Sequence, residues 1–218
     1  MHILFLVGAF LLGSFPTGVV VARAKGVDLR KVGSGNIGTT NVGRALGRRW
    51  AALVLLVDAG KGALPVVLAT QLFDPIWEPW QGSRALLRWF AAGEAGGLPT
   101  RLAWLPAAAG LVAVLGQVFS IFLKGRGGKG VATSLGAGLA LAPLPALVCV
   151  AVWVALFAIF RISSIGSLAA VASFPTFLWL FHAGSLANLT FAAAVALLVF
   201  WRHKDNIRRL VRGKELRA

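Results

Sequence analysis

The chain has 218 residues, 58% of them hydrophobic and only 13% charged, yet its formal net charge is +15. A soluble domain carries about 25% charged residues, so a bilayer suits this composition better than water. A pI near 11.8 usually reads as nucleic-acid binding, but the basic residues here lie between apolar stretches, which argues membrane topology first and anionic lipid or phosphate second.

Apolar runs fall at 2–22, 50–71, 103–123, 131–160 and 167–201. No Lys or Arg precedes the first run, the reverse of a secretory signal, so it reads as a retained span. The first three runs suit single spans, because about 20 helical residues cross the hydrocarbon core. The last two are too long for one simple pass. Pro143 and Pro145 interrupt one, and Pro175, Gly184 and Asn188 interrupt the other. The lone Cys149 lies inside an apolar run and reads as an inert thiol.

Charge sets the orientation. Segment 23–49 holds seven Lys/Arg, 124–130 three, Arg161 adds one, and 202–218 hold seven. In 72–102, Arg84, Arg88 and Arg101 are balanced by Asp74, Glu78 and Glu94. The positive-inside rule therefore makes 23–49, 124–130, 161–166 and the tail 202–218 cytoplasmic, with 72–102 an outer loop. Splitting both long runs gives seven spans; splitting neither gives five and moves 161–166 outside. Seven is favoured. The expected fold is an all-α integral membrane protein, one polytopic domain over 1–218, of about seven transmembrane helices. Some are short or broken, the N-terminus is outside and the C-terminus cytoplasmic. The piece 131–142 is too short to cross alone.

Two basic loops carry the candidate chemistry. In Val32-Gly-Ser-Gly-Asn-Ile-Gly-Thr-Thr-Asn-Val-Gly-Arg44, Gly33 and Gly35 permit positive φ and close backbone approach. Ser34, Asn36, Thr39, Thr40 and Asn41 supply short hydrogen-bonding groups, and Arg44 can grip a phosphate bidentately. A flexible polar linker would not need them. In Lys124-Gly-Arg-Gly-Gly-Lys-Gly-Val-Ala-Thr133, Arg126, Gly127, Gly128, Lys129 and Gly130 lead into a helix N-terminus that can bind an anion. It is not a Walker loop: Gly130 stands where Ser or Thr belongs.

Three smaller elements follow. Ser163 and Ser164 read equally as a helix cap or as ligand groups. His203 and Asn206 share one helical face. Asp58 and Lys61, at i and i+3 within a span, should pair, because isolated intramembrane charge is expensive. There is no His-x4-Asp pair, G-x-S-x-G elbow, H-E-x-x-H motif or acidic cluster. No metal site or cofactor is therefore expected. Cations, hydroxyls and amides suit holding phosphate and stabilising charge.

Four motifs in chain order, Gly33-Ser-Gly-Asn-Ile-Gly-Thr-Thr-Asn-x-x-Arg44, Asp58-x-x-Lys61-Gly62, Phe122-Leu-x-x-Arg-Gly-Gly-Lys-Gly-Val-Ala-Thr133 and His203-x-x-Asn-Ile-x-Arg-Leu-x-x-Gly213, resemble the PlsY family. These are bacterial acyl-phosphate:glycerol-3-phosphate acyltransferases. The resemblance spans the chain, with two departures. Gly116-Gln-Val-Phe-Ser120 stands where the family usually has Gly-His-x-Phe-Pro, and Arg126 stands where Lys is common.

The resemblance implies a seven-helix enzyme of the bacterial inner membrane with a cytoplasmic-face site. Its implied reaction is acyl transfer from acyl phosphate to the 1-hydroxyl of glycerol 3-phosphate. It further implies that Ser34, Arg44, Lys129, Ser163, Ser164, His203 and Asn206 contact substrate. Arg44, Lys129 and His203 would neutralise phosphates, and glycine-loop N–H groups with Ser34 and Asn36 would hold the acyl phosphate. His203 could be a base or only a ligand; a substrate phosphate could take the proton instead. The expected partners are glycerol 3-phosphate, acyl phosphate and membrane lipid, with no nucleic acid and no obligate protein. A transporter or flippase for a phosphorylated solute or lipid is the alternative.

Overall fold

A computed structural model describes residues 1–73, 104–181 and 185–217. The described residues form helices and turns, with no strand among them. Helices α1 (His2–Ser14) and α2 (Thr17–Arg23) make one 22-residue apolar stretch, broken at Phe15-Pro16 because proline has no N–H to continue the ladder. Then follow α3 (Thr39–Leu46), α4 (Arg48–Phe73), α5 (Leu105–Val118), α6 (Val131–Leu141), α7 (Pro143–Phe160), α8 (Ser163–Leu180), α9 (Leu186–Arg202) and α10 (Lys204–Val211).

Among the described residues, five stretches are long and apolar enough to cross a bilayer: His2–Arg23, Arg48–Leu72, Leu105–Leu123, Pro143–Phe160 and Ser163–Leu180. Helices α9 and α10, bent by 60° at His203, add a sixth when taken together. The 11 residues of α6 rise about 16 Å, roughly half of a hydrocarbon core about 30 Å thick.

Both long apolar runs are split. The first breaks at Ala142 (φ −152°, ψ 83°), because the residue before Pro143 is pushed out of the helical region. The second breaks after Leu180, and α9 restarts where the Ser185 hydroxyl accepts from the Asn188 N–H at 3.1 Å. Pro175 does not interrupt α8 as expected, and Asn188 lies inside α9. Packed neighbours let a membrane helix absorb a proline. Gly184 and most of the predicted outer loop 72–102 lie outside the described residues.

Two predicted cytoplasmic loops are more ordered than their composition suggested. Segment 23–49 contains α3 and a 3-10 turn at Leu29–Lys31. Of 161–166, only Arg161 and Ile162 link helices: Arg161 turns left-handed (φ +57°) to end α7, and Ser163 already opens α8.

Helix packing rests on glycine. A Cβ at Gly62 would lie 1.9 Å from the Thr133 carbonyl oxygen, and one at Gly136 would lie 1.8 Å from that of Ala59, so α4 and α6 touch backbone to backbone. Helices α1 and α5 meet the same way through Gly13 and Gly116. Apolar solvent supplies no hydrophobic drive between helices, so this close approach does the work.

The expected ion pair is present: Lys61 Nζ lies 2.6 Å from Asp58 Oδ1, with both side chains 3% exposed. Lys61 also donates to the Phe15 carbonyl and to Gln117 Oε1, each at 2.7 Å, and the Gln117 amide donates to Asp58 Oδ2 at 3.3 Å.

Gly136→Val should yield little folded protein in detergent, because a backbone carbonyl cannot step aside as a side chain can. Gly60→Ala, which meets nothing within 4 Å, should be neutral or up to about 1 kcal/mol more stable by helix propensity. Thermal unfolding of the purified variants checks both.

Candidate active site

The first basic segment is folded by one side chain. Asn41, 1% exposed, donates from Nδ2 to the carbonyls of Leu29, Val32 and Asn36 at 3.2, 3.0 and 2.8 Å, and its Oδ1 accepts from the Ser34 N–H at 3.0 Å. Asn41 was expected to bind substrate; instead its amide is committed to backbone. The turn it holds needs Gly33 and Gly35 at positive φ (+55° and +68°). It presents the Ser34 hydroxyl, which accepts from the Asn36 N–H at 3.4 Å. On α3, Thr40 Oγ1 lies 3.0 Å from Ser163 Oγ, while the buried Thr39 hydroxyl has no hydrogen-bond partner.

The second segment is a clip on the end of α5. The N–H groups of Gly127 and Gly128 donate to the carbonyls of Val118 and Gln117 at 3.0 and 2.9 Å. Their own carbonyls accept from Arg202 at 3.1 and 3.2 Å. A Cβ on Gly127 would lie 2.1 Å from the Gln117 oxygen, so glycine serves close approach here. These two amides, expected to cradle an anion, are already spent. The clip's product is Lys129, whose Nζ donates to Asn206 Oδ1 at 2.6 Å. Arg126 points away: it is exposed, and its carbonyl accepts from Arg30.

The remaining groups come from α8 and from the bend between α9 and α10. His203 Nδ1 lies 2.8 Å from the Val199 carbonyl, which can only accept, so Nδ1 carries the proton and Nε2 of the neutral ring is left as the acceptor. Glu215, beyond α10, accepts from the Ser164 hydroxyl at 3.0 Å, from Arg209 Nε at 2.7 Å and from the Asn206 amide. Arg44 donates to the carbonyls of Leu216 and Arg217 at 3.1 and 3.4 Å.

Two cavities adjoin. The larger, about 820 Å³, has a polar end with Ser34, Asn36, Thr39, Thr40, Asn41, Arg44, Lys129, Gly130, Ser163, Ser164, His203 and Asn206. It continues between helices past Leu55, Val150, Val154, Phe157, Phe174 and Phe191. The smaller, about 170 Å³, is polar and shares Ser34, Asn36, Lys129 and Asn206, adding Gly35, Gly127 and the cations Arg30, Arg202, Lys204 and Arg209. Gly33, Arg126 and Gly128 line neither. Sequence reasoning missed Arg30, Arg202, Arg209 and Glu215. The i, i+3 spacing of Asn206 and Arg209 on one helical face was a readable signal for one of them, whereas Arg202 lies across the bend at His203.

Burial, with Lys129 beside it, pushes His203 down to about 4, so at neutral pH it is a neutral acceptor and not the cation expected. Burial also takes Lys129 down to about 8, opposed by Glu215 and aided by Arg209, Arg44 and Arg202. Burial would raise Glu215, but hydrogen bonds from Arg209, Asn206 and Ser164 outweigh it and hold the carboxyl below its usual range.

A sequence profile described as glycerol-3-phosphate acyltransferase matches residues 3–213. The glycerol-3-phosphate acyltransferase of Aquifex aeolicus (strain VF5) is 41% identical, covering 100% of both chains. That of Myxococcus xanthus (strain DK1622) is 44% identical over 95% of each. The chain belongs to the glycerol-3-phosphate acyltransferase family. Crystal structures of PlsY, an integral membrane glycerol 3-phosphate acyltransferase, are similar in fold. The glycerol 3-phosphate form gives a TM-score of 0.83 at 36% identity, over 100% of this chain and 95% of that one. The lysophosphatidic acid form gives 0.81 at 34%, over 99% and 94%. At Gln117 the side-chain amide serves the ion pair and the backbone carbonyl serves the glycine clip.

The position of Lys129 makes its charge titratable in a useful range. A lysine lowered to about 8 is cationic below that pH and loses its charge above it. Turnover measured as kcat/KM, which reports the free enzyme, should therefore fall as pH rises through about 8. Lys129→Arg should abolish that alkaline limb, since a guanidinium stays charged.

Proposed function

We propose that the protein transfers a fatty acyl group from acyl phosphate to the 1-hydroxyl of glycerol 3-phosphate, giving lysophosphatidate and inorganic phosphate. One observation carries the reading: a cluster of cations and hydroxyls opens into an apolar trough as parts of one cavity. That shape suits a donor with a small anionic head and a single long chain. The adjoining polar pocket suits a water-soluble phosphate ester. Ser34, Asn36, Lys129 and Asn206, common to both, then lie between donor and acceptor.

In this reading Arg44, Lys129, Ser163 and Ser164 bind the donor phosphate, with the first-turn amides of α6, which its own ladder leaves unpaired. Arg30, Arg202 and Arg209 face the phosphate of the acceptor. The hydroxyl oxygen attacks the acyl carbonyl carbon, a carbon–oxygen ester bond forms, and the carbon–oxygen bond to phosphate breaks. His203, with Nδ1 committed to Val199 and its basicity pushed to about 4, is too weak a base to keep the hydroxyl proton. The departing phosphate leaves with one more negative charge than it carried in the ester, and that oxygen takes the proton instead. Held in line in a site with little water, the two substrates need mainly positioning and charge stabilisation.

The charge distribution along the sequence supports a site on the cytoplasmic face of the bacterial inner membrane. Transport of a phosphorylated solute would use polar groups through the depth of the bundle. Asp58 and Gln117 do line the larger cavity, but with Lys61 they are engaged with one another.

Purified protein given glycerol 3-phosphate and palmitoyl phosphate should form lysophosphatidate without added Mg²⁺, and palmitoyl-CoA should be a poor donor. Efficient turnover with the CoA ester alone would overturn the donor assignment. Lys129→Ala and Asn206→Ala should each lose roughly 10²–10³ in rate, as for a missing charge-stabilising donor, while Arg84→Ala stays near wild type. For topology, Arg161→Cys in a Cys149→Ser background should resist a membrane-impermeant thiol reagent in intact cells and react in inverted vesicles.

A further inference from the structure

The chain beyond α10 does something its sequence does not announce. Gly213 turns at φ +65°, and the Lys214 N–H donates to the Arg209 carbonyl at 2.8 Å, sending the tail back towards the site. Lys214, Leu216 and Arg217 are exposed. The Glu215 side chain between them is only 5% exposed. It takes donors from Ser164, Asn206 and Arg209, while Arg44 holds the next two carbonyls. Of these, Ser164, Arg44 and Arg209 are groups that the proposed function assigns to phosphate, and Asn206 lies between the two substrates. Glu215 also lies two residues past the end of the family match at 213.

We propose that Glu215 is a specificity-determining residue, a tethered carboxylate that occupies the phosphate donors until a better anion displaces it. The inference rests on the phosphate-binding reading of the site. A carboxylate offers one charge and two oxygens; a phosphate offers close to two charges and three oxygens, so it gains on the exchange. A free carboxylate gains nothing and must also outcompete a tethered rival, whose effective concentration is in the millimolar range. The tail thus filters phosphate esters from the carboxylates of the cell.

Calorimetric titration of inorganic phosphate and of acetate into the purified full chain tests this, with wild type, Glu215→Gln and Glu215→Ala compared. A site nine-tenths filled by its own tail binds about tenfold more weakly than the open site. Both variants should therefore bind phosphate about tenfold more tightly, and acetate should become a competitor of phosphate in them but not in wild type. The KM for glycerol 3-phosphate should fall in parallel. Unchanged or weaker phosphate binding in both variants would overturn the proposal and make Glu215 a supporting part of the site. Absence of turnover with every acyl donor would instead sink the proposed function, leaving the titration to decide this point on its own.

Discussion

The buried pair between Asp58 and Lys61 is the constraint on which the rest of the molecule depends. Two charges removed from water are stable only if each finds further partners, and removing one partner of such a pair costs about 3–5 kcal/mol. The partners here come from two other helices' ends. Phe15, at the break between α1 and α2, gives a carbonyl to Lys61, and Gln117 of α5 answers both ions. The pair thereby fixes α1, α4 and α5 against one another, and the backbone of the same Gln117 anchors the glycine clip that delivers Lys129. A charge network deep in the bundle thus sets the position of a cation at its edge.

That edge is crowded with like charge. Arg30, Arg44, Lys129, Arg202 and Arg209 surround two adjoining cavities, where Glu215 is the buried carboxylate among them and Asp58 is already paired with Lys61. Burial, aided by repulsion, lowers Lys129, and burial beside Lys129 lowers His203. These cations repel one another, and a dianion among them would relieve that repulsion. In the proposed function, binding strength and chemical stabilisation would share one source, preorganised charge.

Hydropathy and charge made much of this legible. The apolar stretches, the split of both long runs and the shortness of α6 follow from residue counts, prolines and the length of a helical turn. The glycine-rich segments were recognisable as sites of close approach, but what they approach was not. Gly127 and Gly128 meet the end of α5, and Asn41 meets backbone within its own segment, because those partners are defined only once helices pack. Pro175 misled in the opposite sense, since a proline signals a break only where neighbours cannot absorb it. Glu215 was invisible because nothing in Lys214-Glu-Leu-Arg217 says where the chain turns back.

The brevity of α6 has a consequence for how a lipid substrate meets the protein. Residues from Gly130 to Gly138 along this helix line the trough, and its rise of about 16 Å is close to the share of a single leaflet in a core about 30 Å thick. A fatty chain already resting in one leaflet spans the same depth. A fatty chain lying along α6 in the trough therefore keeps the depth it has in that leaflet, with its head at the level of the polar groups before the helix.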